Sequence, residues 1–181
     1  MKNLIISDYT ANILKVVLFA VAFAFVEAAV VVYLRQLLGA SEPFAKKNEV
    51  LLLLPGIAFL EPQTALRIIN DSALLNIELI REAATIVMLF SVSLLAANNI
   101  KKLIAFFFLA FGIWDLFYYV FLKLTIDWPK TPGDLDTFFL LPVPWIGPVF
   151  VPIILSSLFI VGSLMYLVKS GYKKTNSQLT K

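Results

Sequence analysis

The chain has 181 residues and a formal net charge of +3, and 60% of its residues are hydrophobic while 15% are charged. Soluble domains are roughly half apolar and about a quarter charged, so this composition indicates an integral membrane protein. The mean hydropathy of +0.89 indicates the same class. The small net charge gives no reason to expect nucleic acid as a partner. The expected partner is the lipid bilayer.

The absence of two residue types limits the chemistry. The chain contains no cysteine and no histidine, which excludes disulfides, thiolate metal sites, cysteine nucleophiles and histidine bases. Nucleotide-binding and Gly-x-Ser-x-Gly patterns are also absent from the sequence. We therefore expect no cofactor and no dedicated metal site, and any chemistry falls to carboxylates, Lys, Arg, Tyr, Ser or Thr.

Four apolar segments are long enough to cross a hydrocarbon core, which takes about 20 residues. They lie at about 16–34, 76–97, 103–126 and 149–168. The sequence predicts an all-α fold in which four transmembrane helices form a single membrane domain over residues 1–181. A cleaved signal peptide is the competing interpretation of the first segment, but its apolar run is longer than a signal h-region.

Two long connections separate these segments. Residues 50–60 are strongly apolar but too few to span, and Pro55-Gly56 interrupts them. Residues 64–75 alternate as an amphipathic helix would, so we expect a re-entrant or interfacial helical segment over about 50–75. The second connection, 127–148, is rich in proline and cannot form a continuous helix. We expect it to be a loop on the outer side.

Basic residues near the ends of spans predict orientation. The N-terminal flank, the Lys101-Lys102 turn and the C-terminal tail are basic, whereas the 127–148 connection is net acidic. These positions alternate as expected for four spans. We therefore predict a multi-pass protein of the cell membrane with both termini in the cytoplasm.

Charged residues inside spans are costly in lipid and usually face the interior of a bundle. Glu27 is in the first span, on a helix face that also holds Ala20, Ala24 and Ala28. A rise of about 1.5 Å per residue places carboxylates of three spans at overlapping depths. The predicted ligand-binding residues are Glu27, Arg81, Glu82, Asp115, Tyr118 and Tyr119. We expect Glu78, at the beginning of the second span, to be a solvated residue at the rim.

Several functions fit this pattern. Binding or transport of a proton, a cation or a small polar ligand is the leading hypothesis. An intramembrane enzyme could use the same carboxyl groups as acid and base on a lipid or isoprenoid substrate. A carboxylate-only site would favour Mg²⁺, Ca²⁺ or Mn²⁺. Ordinary ion pairs, such as Glu27 with Arg81, would instead suit a structural subunit, either in a homo-oligomer or in a larger membrane complex.

Overall fold

The computed structural model describes residues 2–38 and 46–179, with side chains described for 10–36, 46 and 48–170. The helices are α1 (Lys2–Leu38), α2 (Ala65–Ile68), α3 (Ser72–Ala96), α4 (Ile100–Ile126) and α5 (Phe150–Leu179). The strands are β1 (Val50–Leu54), β2 (Ile57–Leu60), β3 (Leu135–Phe139) and β4 (Trp145–Pro148).

The four long helices confirm that the four predicted segments are helical and long enough to span a membrane. The segments that are long and apolar enough to cross a membrane are Thr10–Gln36, Ser72–Ala96, Ile100–Ile126 and Phe150–Ser170. α3 begins four residues earlier than its apolar run predicts because the Asp71 side chain caps it, accepting a hydrogen bond of 2.8 Å from the backbone N–H of Leu74. Asn99 caps α4 in the same way through the N–H of Lys102, at 3.0 Å.

The prediction that the fold is all-α is wrong, because the two long connections together form a four-stranded antiparallel sheet of order β1-β2-β4-β3. The predicted helical segment over 50–75 is wrong for its first part, where β1 and β2 pair as a hairpin. Its second part is mostly helical, in a 3-10 turn at Pro62–Thr64, in α2 and in the first turn of α3. Gly56 turns this hairpin with a φ of +79°, a left-handed conformation that glycine adopts without strain. The predicted outer loop contains β3 and β4.

The pairing of β2 with β4 places both long connections at the same end of the bundle. We call the sheet, together with the β3–β4 connection at 140–144, the cap. At the other end, the Asn12 side chain donates a hydrogen bond of 3.3 Å to the carbonyl of Ala96, which joins the early part of α1 to the end of α3. The bundle is therefore antiparallel, and the cap covers one of its ends.

Small residues bring the helices close together beneath the cap. Ala20 and Ala24 are fully buried in the core, and Glu27 and Ala28 lie on the same buried face of α1, as predicted. Gly112 of α4 approaches α5 so closely that an added Cβ would lie 2.8 Å from the carbonyl oxygen of Ser156. These close approaches pack the helices tightly against one another. The buried acidic side chains lie near the cap.

Candidate functional site

A cavity of about 90 Å³ lies between α1, α3, α4 and the cap. All six predicted ligand-binding residues line it: Glu27, Arg81, Glu82, Asp115, Tyr118 and Tyr119. The structure therefore brings together side chains from three spans that are far apart in the sequence. Their role in binding a ligand stays a prediction.

Arg81 joins two carboxylates on different helices. Its Nε donates to Glu78 Oε2 at 2.8 Å within α3, and its Nη1 forms an ion pair with Glu27 of α1. Thr85 donates a further hydrogen bond of 3.2 Å to Glu27 Oε2. Because Glu78 and Glu27 are both buried, one guanidinium compensates two carboxylates that would otherwise repel each other. This cluster holds α1 against α3.

Glu82 connects α3 to the cap through backbone groups. Its carboxylate accepts hydrogen bonds from the N–H of Leu140, at 2.9 and 3.0 Å, and from the N–H of Leu141, at 3.2 Å. Leu140 is buried, so its N–H has little access to water. The cap is thus fixed above the cavity by the carboxylate that directly follows Arg81 in α3.

Asp115 receives its hydrogen bond from α5 instead of from α1 or α3. Ser156 Oγ donates to Asp115 Oδ2 at 2.7 Å. Within the part of the chain that has described side chains, neither Asp115 nor Glu82 forms an ion pair. These two carboxylates are hydrogen-bonded, but neither lies within ion-pair distance of a described cation.

A second ion pair joins α1 to the cap. Arg35 Nη2 lies 2.9 Å from Asp136 Oδ1, and Tyr119 donates a hydrogen bond of 3.0 Å to Asp136 Oδ2. The guanidinium carbon of Arg35 also lies 3.9 Å from the ring centroid of Trp128, a cation–π geometry. Burial of Asp136 raises the pKa of its carboxyl to about 6, against the opposing effects of the Arg35 charge and the Tyr119 hydrogen bond.

Aromatic side chains form much of the remaining wall. Trp114 stacks on Tyr118 with ring centroids 6.5 Å apart, and its ring lies 6.2 Å from that of Phe139 in the cap. Trp114 is only 4% exposed. Among the residues with described side chains, the buried atoms that lack a hydrogen-bond partner are Trp114 Nε1 and Thr137 Oγ1. Both residues line the cavity.

The charges around the cavity do not balance. The described lining includes five carboxylic acids and two arginines, so it has three more potential negative charges than positive ones. The acids are Glu27, Glu78, Glu82, Asp115 and Asp136. A buried carboxylate without a cation is costly, so the site favours uptake of protons or of a positively charged group. No three carboxylates of the described residues are arranged as metal ligands.

Sequence reasoning missed part of this site. Glu78 is not a solvated rim residue, because it is only 6% exposed and bonds to Arg81. Arg35 lies at the edge of the first span, where it is typical of a positively charged flank, and Asp136 lies in a connection that the sequence predicts to be a loop. Their pairing spans 101 positions of the chain. No local pattern indicates a contact of that kind.

Comparisons with protein-family models, with curated proteins and with solved structures find no match to this chain. What is established is therefore the architecture: a mostly helical protein with four helices able to span a membrane, a small sheet over one end, and a polar cavity beneath that sheet.

Proposed function

We propose that this protein binds a small cation or protons in the cavity beneath the cap, and that binding there is a step in transport. The observation that carries the proposal is the excess of three potential negative charges around the cavity. Ionisable groups at membrane depth that lack a partner are typical of ion and proton pathways. We further propose that the protein resides in the cell membrane with its basic end in the cytoplasm, so that the cap lies on the outer side.

The side chains divide into two groups under this proposal. The Arg81 cluster and the Arg35–Asp136 pair hold α1 to α3 and to the cap, because each of their carboxylates is already paired with a guanidinium. Glu82 and Asp115 lie on the same cavity but form no ion pair within the described residues. These two carboxylates are the ones that interact with the cation.

Thermal unfolding of the purified protein in detergent tests binding. The chlorides of Na⁺, K⁺, NH₄⁺ and ethylammonium are compared at one ionic strength, balanced with N-methylglucammonium, which is too large for the cavity. A cation at ten times its Kd stabilises the folded state by about 1.4 kcal/mol. For a chain of this size, that raises Tm by about 3–6 °C.

Variants in which a cavity carboxylate is replaced by an uncharged amide test whether the cations bind at this site. We expect Glu82→Gln and Asp115→Asn each to remove the cation-dependent rise in Tm. Asp127→Asn is the matched control, since its side chain is 67% exposed and forms ion pairs only at the surface. The proposal is wrong if none of the cations shifts the Tm of the wild type, or if the shift survives both cavity substitutions. Flux of the active cation into proteoliposomes then measures transport.

A further inference from the structure

The aromatic rings and unpaired polar atoms that line the cavity indicate the chemical class of its ligand. We propose that the ligand is a small organic ammonium that also carries an oxygen able to accept a hydrogen bond, as in an amino alcohol. This inference rests on the proposed function, because it names the chemical class of the cation that the site binds.

The ammonium group follows from the combination of carboxylates and aromatic rings. Trp114, Tyr118, Tyr119 and Phe139 line the same cavity as Glu82 and Asp115. Aromatic faces attract organic ammonium groups through their quadrupoles and also accommodate the attached carbon atoms. A bare inorganic cation would gain less from such walls, since it prefers to be surrounded by oxygen ligands.

The oxygen acceptor follows from the indole of Trp114. Indole Nε1–H can only donate a hydrogen bond, and a buried tryptophan normally finds an acceptor for it. In the described structure this N–H has none, although the residue lines the cavity. A ligand that contained only ammonium donors would leave it unpaired. Thr137 Oγ1, the other unpaired atom, can accept from a ligand hydroxyl or donate to it.

The volume limits the size of the ligand. A cavity of about 90 Å³ corresponds to roughly three water molecules at the density of the liquid. A molecule with about four non-hydrogen atoms, such as ethanolamine, fits this space and has one ammonium and one hydroxyl group. The same chemistry occurs in free amino alcohols and in the ethanolamine head group of a phospholipid.

Three probes of similar size separate the two recognition elements. Ethanolamine has both the charge and the oxygen, ethylamine has only the charge, and ethylene glycol has only oxygen. Binding is followed by NMR of the ¹⁵N-labelled indole groups in lipid nanodiscs, where Trp114→Phe assigns the Trp114 signal. We expect ethanolamine to bind about three to ten times more tightly than ethylamine, the gain typical of one added hydrogen bond. Ethylene glycol should not bind measurably.

Substitutions in the cavity test which protein atoms produce the preference for ethanolamine over ethylamine. We expect Trp114→Phe to weaken the binding of ethanolamine more than that of ethylamine, so that the preference for ethanolamine is lost. Trp145→Phe is the matched control, because the indole of Trp145 already donates a hydrogen bond of 2.6 Å to the carbonyl of Leu141. Thr137→Val, which keeps the side-chain shape, provides a second test if Trp114→Phe does not fold. It should reduce the preference as well.

The outcomes separate this inference from the proposed function. If ethylamine and ethanolamine bind equally tightly, and both require Asp115, the cation site stands and the oxygen acceptor is refuted. If K⁺ or NH₄⁺ binds and neither amine does, the organic ammonium is refuted. If no cation binds, the proposed function fails as well. Nanodiscs with and without phosphatidylethanolamine identify the source, because a bound head group shifts the Trp114 signal before ethanolamine is added.

Discussion

Replacing Glu82 by alanine should loosen the cap. The substitution removes the acceptor for the N–H groups of Leu140 and Leu141. A buried donor left without a partner costs about 1–3 kcal/mol, and the Leu140 N–H is buried, whereas Leu141 is partly exposed and can bond to water. With about 2 kcal/mol for the Leu140 N–H and about 1 kcal/mol for the net loss of the Leu141 hydrogen bond, local opening of the cap becomes easier by about 3 kcal/mol. Glu82→Gln keeps one acceptor oxygen and should have a smaller effect.

Hydrogen exchange of the backbone amides measures this opening directly. A loss of about 3 kcal/mol accelerates exchange about 100-fold. We expect that acceleration at Leu140 in Glu82→Ala, while amides in the middle of α4 keep their rates. Glu61→Ala is the control, because Glu61 follows β2 and does not bond to the β3–β4 connection. Unchanged exchange at Leu140 in Glu82→Ala would show that the carboxylate does not hold the cap.

Two further predictions concern packing and pH. Gly112→Ala should destabilise the protein by about 1–3 kcal/mol in reversible unfolding, because the new Cβ would lie 2.8 Å from the Ser156 carbonyl oxygen. Gly162→Ala has open space around its Cβ and should be neutral or stabilising by up to about 1 kcal/mol; equal effects of the two would contradict this account of the helix contact. The carboxyl of Asp136 has a pKa of about 6 in the folded state and about 3.9 in the unfolded state. Between these two pH values it is protonated in the folded protein but ionised in the unfolded chain. Its contribution should therefore lower the free energy of unfolding by about 3 kcal/mol as pH rises from about 3 to 7. Asp136→Asn should lack that slope, and parallel pH profiles would refute this account.

The sequence alone predicts the helices and the faces on which they pack. Long apolar runs require spans, and the cost of a carboxylate in lipid turns Glu27, Glu82 and Asp115 toward the interior. Alanines spaced four apart on α1 predict its packing face correctly. Each of these inferences uses the geometry of one helix, in which neighbours on a face are three or four residues apart.

The sheet could not be predicted because its pairing is not local. Residues 50–54 read VLLLL, and leucine favours helices, yet the hairpin turn at Gly56 and pairing with β4 make them part of a sheet. Ala58 faces Ile146 across the β2–β4 ladder, far away in sequence. The Arg35–Asp136 pair depends on the neighbouring β3–β4 ladder, in which Asp136 lies opposite Gly147. Half-buried strands with so few residues have no periodicity strong enough to identify them.

The strand order determines when the cavity is completed during synthesis. β4 lies between β2 and β3 and directly precedes α5, the last of the four spans. In a growing chain that ends before residue 145, β4 is missing. β2 can then pair only with β1, and β3 has no partner strand. The cavity carboxylates of three spans all precede β4 in the chain, so the covering above them stays incomplete until β4 has been made. Closure of the site is thus coupled to the segment that leads directly into the final helix.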